Sequence, residues 1–363
     1  MKHTKSTMMT SIFAMFFSLA FLFSLPPSVT ASPSIPAVFA FGDSTVDPGN
    51  NNRLNTIFRG DHPPYGRDFP THTPTGRFSN GKLTTDYLVS NLGIKELLPA
   101  YLDPRLTDAD LTTGVSFASG GSGLDEATTA ANGVLSMEQQ LRNFDEAIRR
   151  MEKSTGKNRT AELLREAMFV ISVGTNDVVF NLYGFIPSNF QRSASSYHDM
   201  LLRRLGSFIQ SLYDRGARKF GVAGLPPVGC LPLQMSIGSV MPSPHMLQRM
   251  CVNKQNTDSQ AYNLKLQHLL SSLQVSLPGS RMVYFGIYEI MMDMIINPLK
   301  YGFQQTLQGC CGTGLFELGP LCIVGMPTCP NASKYIFWDS MHPSQAAYLA
   351  ISNHYSQSVL QFN

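Results

Sequence analysis

Short apolar runs alternate along this chain with stretches whose apolar residues recur every three or four positions. "AVFAF" (Ala37 to Phe41), "GVSFA" (Gly114 to Ala118), "MFVISV" (Met168 to Val173), "KFGVAG" (Lys219 to Gly224) and "RMVYF" (Arg281 to Phe285) have strand length. Most are continuous enough to predict strands buried on both faces. Between them Leu141, Phe144, Ile148 and Met151 keep a helical period, as do Leu202, Leu205, Ile209 and Leu212, the latter helix ending at Gly216 as a predicted C-cap. The alternation predicts a parallel sheet covered by helices on both sides. No internal repeat, low-complexity linker or charge run interrupts residues 32–363, so a single domain is expected there.

The N-terminus departs from this pattern. Lys2, His3 and Lys5 precede "SIFAMFFSLAFLFSL" (Ser11 to Leu25), then Pro26-Pro27, then Val29 and Ala31 at the spacing of a signal-peptidase site. The apolar run is shorter than the roughly 20 residues of a membrane span and is ended by the prolines. Residues 1–31 therefore read as a secretory signal, with the mature chain starting near Ser32, extracellular and without a transmembrane anchor.

Composition adds limits. The chain has 363 residues, 43% hydrophobic and only 15% charged, enough to bury a sizeable core. Its net charge of +3 falls to +1 without Lys2 and Lys5, and no basic block could follow a phosphate backbone, which argues against nucleic acid as a partner. The six cysteines, Cys230, Cys251, Cys310, Cys311, Cys322 and Cys329, are expected to form disulfides in an oxidising compartment, in a pairing that sequence does not choose. Zinc is the competing reading for the last four, but adjacent cysteines lack the usual finger spacing. His62 and His72 lie in a Pro-rich loop, so neither metal nor other cofactor is expected. Asn158 and Asn331 begin glycosylation tripeptides. Nothing in the pattern sets the oligomeric state.

Candidate chemistry gathers at strand ends. In open parallel sheets ligands collect beyond the carboxyl ends of the strands. The first strand runs into "GDS" with Ser44, the second into "SGGSG" (Ser119 to Gly123), and the third into "GTND" (Gly174 to Asp177). If these strands are neighbours, a hydroxyl, a glycine N–H and the Asn176 amide meet at one edge as a nucleophile with oxyanion donors. A serine needs a base. "FWDSMHPS" offers Asp339 and His342 three residues apart, a spacing that lets the carboxylate hold Nδ1 while Nε2 faces the serine. Taken singly, each motif also has a plainer reading: a turn at Gly-Asp-Ser, an N-cap at Asp177, solvated polarity at Asp339 and His342.

Together these motifs carry a family resemblance. "FGDSTVDPGNNN", "PTGRFSNGK", "GVSFASGGSG", "VGTND" and "DSMHPS", with "GLPPVGCLP" and the Cys310-Cys311 pair, resemble plant-type GDSL esterases/lipases of the SGNH hydrolase superfamily from about Ala37 to Val359. The resemblance implies a flavodoxin-like three-layer α/β/α fold. It implies Ser44 as nucleophile, His342 as base and Asp339 as its orienter, with the backbone N–H of Ser44, a glycine N–H best matched by Gly120, and the Asn176 side chain as the oxyanion hole. Thr45 stands where the family name has leucine, and the "GxSxG" elbow of ordinary lipases is absent around Ser44. The expected activity is hydrolysis of a lipid, acetylated-sugar or phenolic ester through an acyl-serine. An acyltransferase using the same residues and a non-catalytic binding glycoprotein are the rivals.

Overall fold

The computed structural model describes residues 35–184, 193–237, 249–359 and 362. The expected signal, residues 1–31, lies outside the described residues.

Four parallel strands form the central sheet in chain order: β1 (Val38–Gly42), β2 (Met168–Ser172), β3 (Lys219–Ala223) and β4 (Arg281–Phe285). Each matches a predicted run to within a residue. The fifth run does not become a regular strand. Residues 114–118 lie extended along the outer edge of β1, where Ala40 N–H donates to Val115 C=O at 3.1 Å and Phe117 N–H donates to Ala40 C=O at 2.8 Å. The ladder stops where Gly42 N–H of β1 turns to Gln140 Oε1, while on the outer side Asn50 Nδ2 donates to the carbonyls of Ser116 and Ala118; the segment forms isolated bridges, to Ala40 and Ala100. Counting this segment, the spatial order is 2-1-3-4-5, the flavodoxin-like order, whose switch point falls between β1 and β2.

The two faces of the sheet differ in bulk. Phe39 and Phe41 register with Phe169 and Ile171, and these with Phe220 and Val222, so one face is strongly aromatic. Against it pack Phe144 of α2 (Met137–Thr155) and Phe208 of α3 (Ala194–Asp214). α2 starts at Ser136 with a capping box to Gln139. α3 ends where Gly216, at φ 107°, lets Ala217 N–H return to Leu212 C=O. The opposite face carries Ala40, Gly42, Val170, Ser172, Gly221 and Ala223. Over that face lie α1 (Thr84–Asn91), α4 (Ile287–Ile296) and α5 (Gln345–Val359). These helices complete the third layer.

A second, two-stranded parallel sheet pairs β5 (Gln305–Gly309) with β6 (Tyr335–Phe337). Sequence patterning missed it because β5 is only partly buried and little apolar, and its neighbourhood is held by covalent links. Cys310 pairs with Cys329 and Cys311 with Cys322, while Cys230 pairs with Cys251. All six cysteines are thus consumed, including the four for which zinc had been the competing reading.

Candidate active site

β1 ends in a backbone conformation that only glycine tolerates. Gly42 has φ 134°, and a Cβ there would lie 1.8 Å from the carbonyl oxygen of Ser172 on β2. Gln140 of α2, fully buried, clamps the same residue: its Oε1 accepts from Gly42 N–H and its Nε2 donates to Gly42 C=O, both at 2.8 Å. Asp43 N–H then donates to Ser172 C=O at 3.0 Å. Thr45, at the position of the family's leucine, adds a hydroxyl contact of 2.7 Å to Ser172 Oγ. The turn bearing Ser44 is therefore fastened to β2 and α2 rather than free.

The C-terminal motif arrives from the far end of the chain. Ser44 Oγ and His342 Nε2 are 2.7 Å apart across 298 residues, and His342 Nδ1 is 2.7 Å from Asp339 Oδ2. Asp339 Oδ1 accepts from the backbone N–H groups of Met341 at 2.9 Å and His342 at 2.7 Å, fixing the carboxylate in its turn. Ser44, Asp339 and His342 are all buried. Phe78 lies 5.1 Å from the imidazole, centroid to centroid. Behind the motif, Ser344 caps α5 by accepting Ala347 N–H on its hydroxyl, as its place after Pro343 predicts.

Tyr65 was not singled out in the sequence. Its hydroxyl donates to Asp339 Oδ2 at 2.7 Å and accepts from Gly319 N–H at 2.8 Å. Burial, with the Asp339 charge next, holds its phenol well above the ordinary range, so it remains a donor to the carboxylate. The only sequence signal was an aromatic residue in a Pro-rich loop, "HPPYG", without a partner in view.

The oxyanion candidates divide. Asn176 Nδ2 donates one hydrogen to Ser122 C=O at 2.8 Å, which orients the amide and leaves its second N–H available. Gly120 N–H is committed: it donates to Asp47 Oδ2 at 2.9 Å. Asp47 also accepts from Gly49 and Asn50, and burial pushes its carboxyl up to about 6 against these bonds. By contrast, the N–H groups of Ser44 and Gly121 have no acceptor among the described residues. Gly121, next to the Gly120 expected as donor, has a φ of 86° that suits glycine, and its N–H is unspent where that of Gly120 is not. Asp177, beside Asn176, holds the adjoining loop by accepting from Leu124 N–H, Asp125 N–H and the Thr128 hydroxyl. Asn158 and Asn331 lie on the exposed surface.

A buried hydroxyl bonded to an imidazole, itself bonded to a carboxylate, can transfer a proton as the serine attacks a carbonyl. No described helix is long and apolar enough to cross a membrane. The GDSL-like Lipase/Acylhydrolase family matches residues 38–355. Three curated relatives from Arabidopsis thaliana are similar over most of their length. GDSL esterase/lipase At2g40250 is 48% identical over 326 residues, 90% of each chain. GDSL esterase/lipase At1g06990 is 46% identical over 318 residues, 87% of each, and GDSL esterase/lipase At2g30310 is 42% identical over 351 residues, 96% of each. With this extent of similarity, the α/β sheet and the matched motifs, the chain belongs to the GDSL esterase/lipase family and is a carboxylic ester hydrolase.

Proposed function

We propose that this protein is a secreted serine esterase that works through an acyl-serine intermediate, with Ser44 as nucleophile, His342 as general base and acid, and Asp339 as the group that orients the ring. The observation that carries this reading is the continuous chain from Ser44 Oγ through His342 to Asp339, each link 2.7 Å. His342 Nε2 takes the Ser44 proton as Oγ bonds to the ester carbonyl carbon. The N–H groups of Ser44 and Gly121 and the free amide hydrogen of Asn176 receive the oxyanion. Collapse breaks the bond to the alcohol oxygen, which leaves with the proton from His342. Water, deprotonated by the same ring, then releases the acid and restores the hydroxyl.

Residues 1–31 serve as the secretory signal in this reading, residues 32–363 as a single catalytic domain, and the exposed Asn158 and Asn331 as glycan acceptors. Its substrate is a lipid, acetylated-sugar or phenolic ester. Product analysis on the purified glycoprotein, with an alcohol acceptor added, tests the reading. Release of free acid supports a hydrolase, and preferred transfer to the acceptor would replace it with an acyltransferase. A protein that neither turns over esters nor labels with a serine-directed fluorophosphonate would be the non-catalytic binding glycoprotein. Asn176→Ala is expected to lower kcat by about 10²–10³-fold, the usual cost of one oxyanion donor. A change confined to KM would remove Asn176 from the oxyanion hole.

A further inference from the structure

The sheet face with the smaller side chains leaves space beside Ser44. Val170 and Ser172 of β2 and Ala223 of β3 do not fill the gap between the strands and the helices above them. The gap is a narrow cavity of about 80 Å³, walled by Leu88, Val170, Phe285, Met291, Ile351 and Tyr355, with Ser44 and His342 also in its lining. Its exposed wall is almost entirely carbon. Tyr348, Ser352 and Tyr355, at helical spacing on α5, place their side chains along it for two turns, about 10 Å of helix. The hydroxyls of Tyr348 and Tyr355 are buried without a hydrogen-bond partner, a cost that a fully packed core avoids.

We infer that this cavity is the acyl pocket, and that it selects esters of short, unbranched acyl groups of about four to six carbons. The inference rests on the serine-esterase reading above. Two features assign the acyl half of the ester to the cavity. It contains the nucleophile in its wall, so an acyl chain attached to Ser44 Oγ can enter directly. Its carbon walls would leave the hydroxyls of a sugar or other polar alcohol unsatisfied. Length follows from volume: an apolar cavity of about 150 Å³ holds the six carbons of benzene, so one of about 80 Å³ with its mouth at Ser44 admits a chain of about four to six carbons at most. Each methylene that enters should raise kcat/KM about fourfold, the transfer free energy of a buried methylene converted to a rate ratio. A chain that outruns the cavity gains nothing further and must displace packed side chains.

The test measures kcat/KM for p-nitrophenyl esters from acetate to dodecanoate, and for acetates of alcohols of increasing length. For the wild type we expect a rise from acetate to a maximum at butyrate or hexanoate and a fall of at least about tenfold by dodecanoate, with little response to alcohol length. Two variants then move the wall. Ile351→Ala should raise the ratio of octanoate to butyrate turnover by about tenfold, and Ser352→Leu should lower the ratio of hexanoate to acetate turnover by a similar factor. Ratios cancel any loss of folded protein, and fluorophosphonate labelling reports the active fraction. Should Ser352→Leu fail to fold, Ile351→Ala and the milder Met291→Ala carry the same question. A wild-type maximum at dodecanoate, a response to alcohol length in place of acyl length, or unchanged ratios in labelled variants would overturn the acyl pocket while leaving Ser44 as nucleophile. Absence of labelling and of turnover in the wild type would instead overturn the serine-esterase reading, and the pocket with it.

Discussion

Ser44→Ala is expected to eliminate fluorophosphonate labelling and to lower kcat on any ester substrate by about 10⁶-fold, the scale on which serine hydrolases lose activity without their nucleophile. The fold should survive. Gly42, Asp43 and Thr45 hold this turn through contacts that do not involve the Ser44 hydroxyl, whose hydrogen-bond partner is His342 Nε2. Removing one buried hydroxyl leaves the imidazole nitrogen without its partner, a local cost of about 1–3 kcal/mol. The check combines ester turnover, labelling followed by peptide mapping, and thermal unfolding of both proteins. Of the two serines in the glycine-rich motif, Ser119 donates its hydroxyl to Asn51 Oδ1, and Ser122 is the rival. Its hydroxyl donates to Leu135 C=O and accepts from Gln140 Nε2, and it is fully buried. Labelling that persists in Ser44→Ala and maps to Ser122 would remove Ser44 from the mechanism.

Asp339→Asn should cost about 10³–10⁴-fold in kcat, a loss of the size that serine proteases show on the equivalent change. The four bonds to the carboxylate explain why Asn is a poor replacement despite its shape. Oδ1 faces the N–H groups of Met341 and His342, while Oδ2 faces His342 Nδ1 and the Tyr65 hydroxyl. Placing the amide NH₂ on the Oδ1 side would set donor against two backbone donors. Placing it on the Oδ2 side makes Nδ1 an acceptor, so the proton moves to Nε2 and the ring can no longer take one from Ser44. The first choice breaks the turn that carries the carboxylate, and the second disables the base. Comparing kcat and its pH profile for the wild type and Asp339→Asn, with thermal unfolding as a control, tests this; an unchanged rate and profile would mean that Asp339 does not orient His342.

Tyr65 and the glycine-rich motif mark where patterning along the chain stops being informative. An Asp-x-x-His spacing is local, so the Asp339–His342 pair is legible from three residues of sequence. Tyr65 reaches the same carboxylate from 274 residues away, and nothing periodic announces such a contact. Gly120 and Gly121 are indistinguishable as letters. Their difference lies in which N–H the backbone turns toward Asp47, a matter of dihedral angles set by the surrounding fold.

The sequence by itself determined the order of strands and helices, the parallel character of the sheet, the strand ends that carry polar motifs, and the family to which those motifs belong. These follow from local causes: β-branched and aromatic runs, a 3.6-residue period, glycine where a turn demands it, and caps at helix ends. Tertiary structure alone decided the rest. Gly42 N–H goes to Gln140 Oε1 rather than to residues 114–118, and Asn50 covers their outward carbonyls, so a strand-like run becomes an edge segment. The six cysteines find partners 11 to 21 residues away according to where the chain brings them together, not according to spacing. Val170 and Ser172 of β2 and Ala223 of β3 leave a cavity only because strand register places them on one face of the sheet. In each case the deciding interaction joins groups distant in sequence, whose approach depends on the packing of the whole domain.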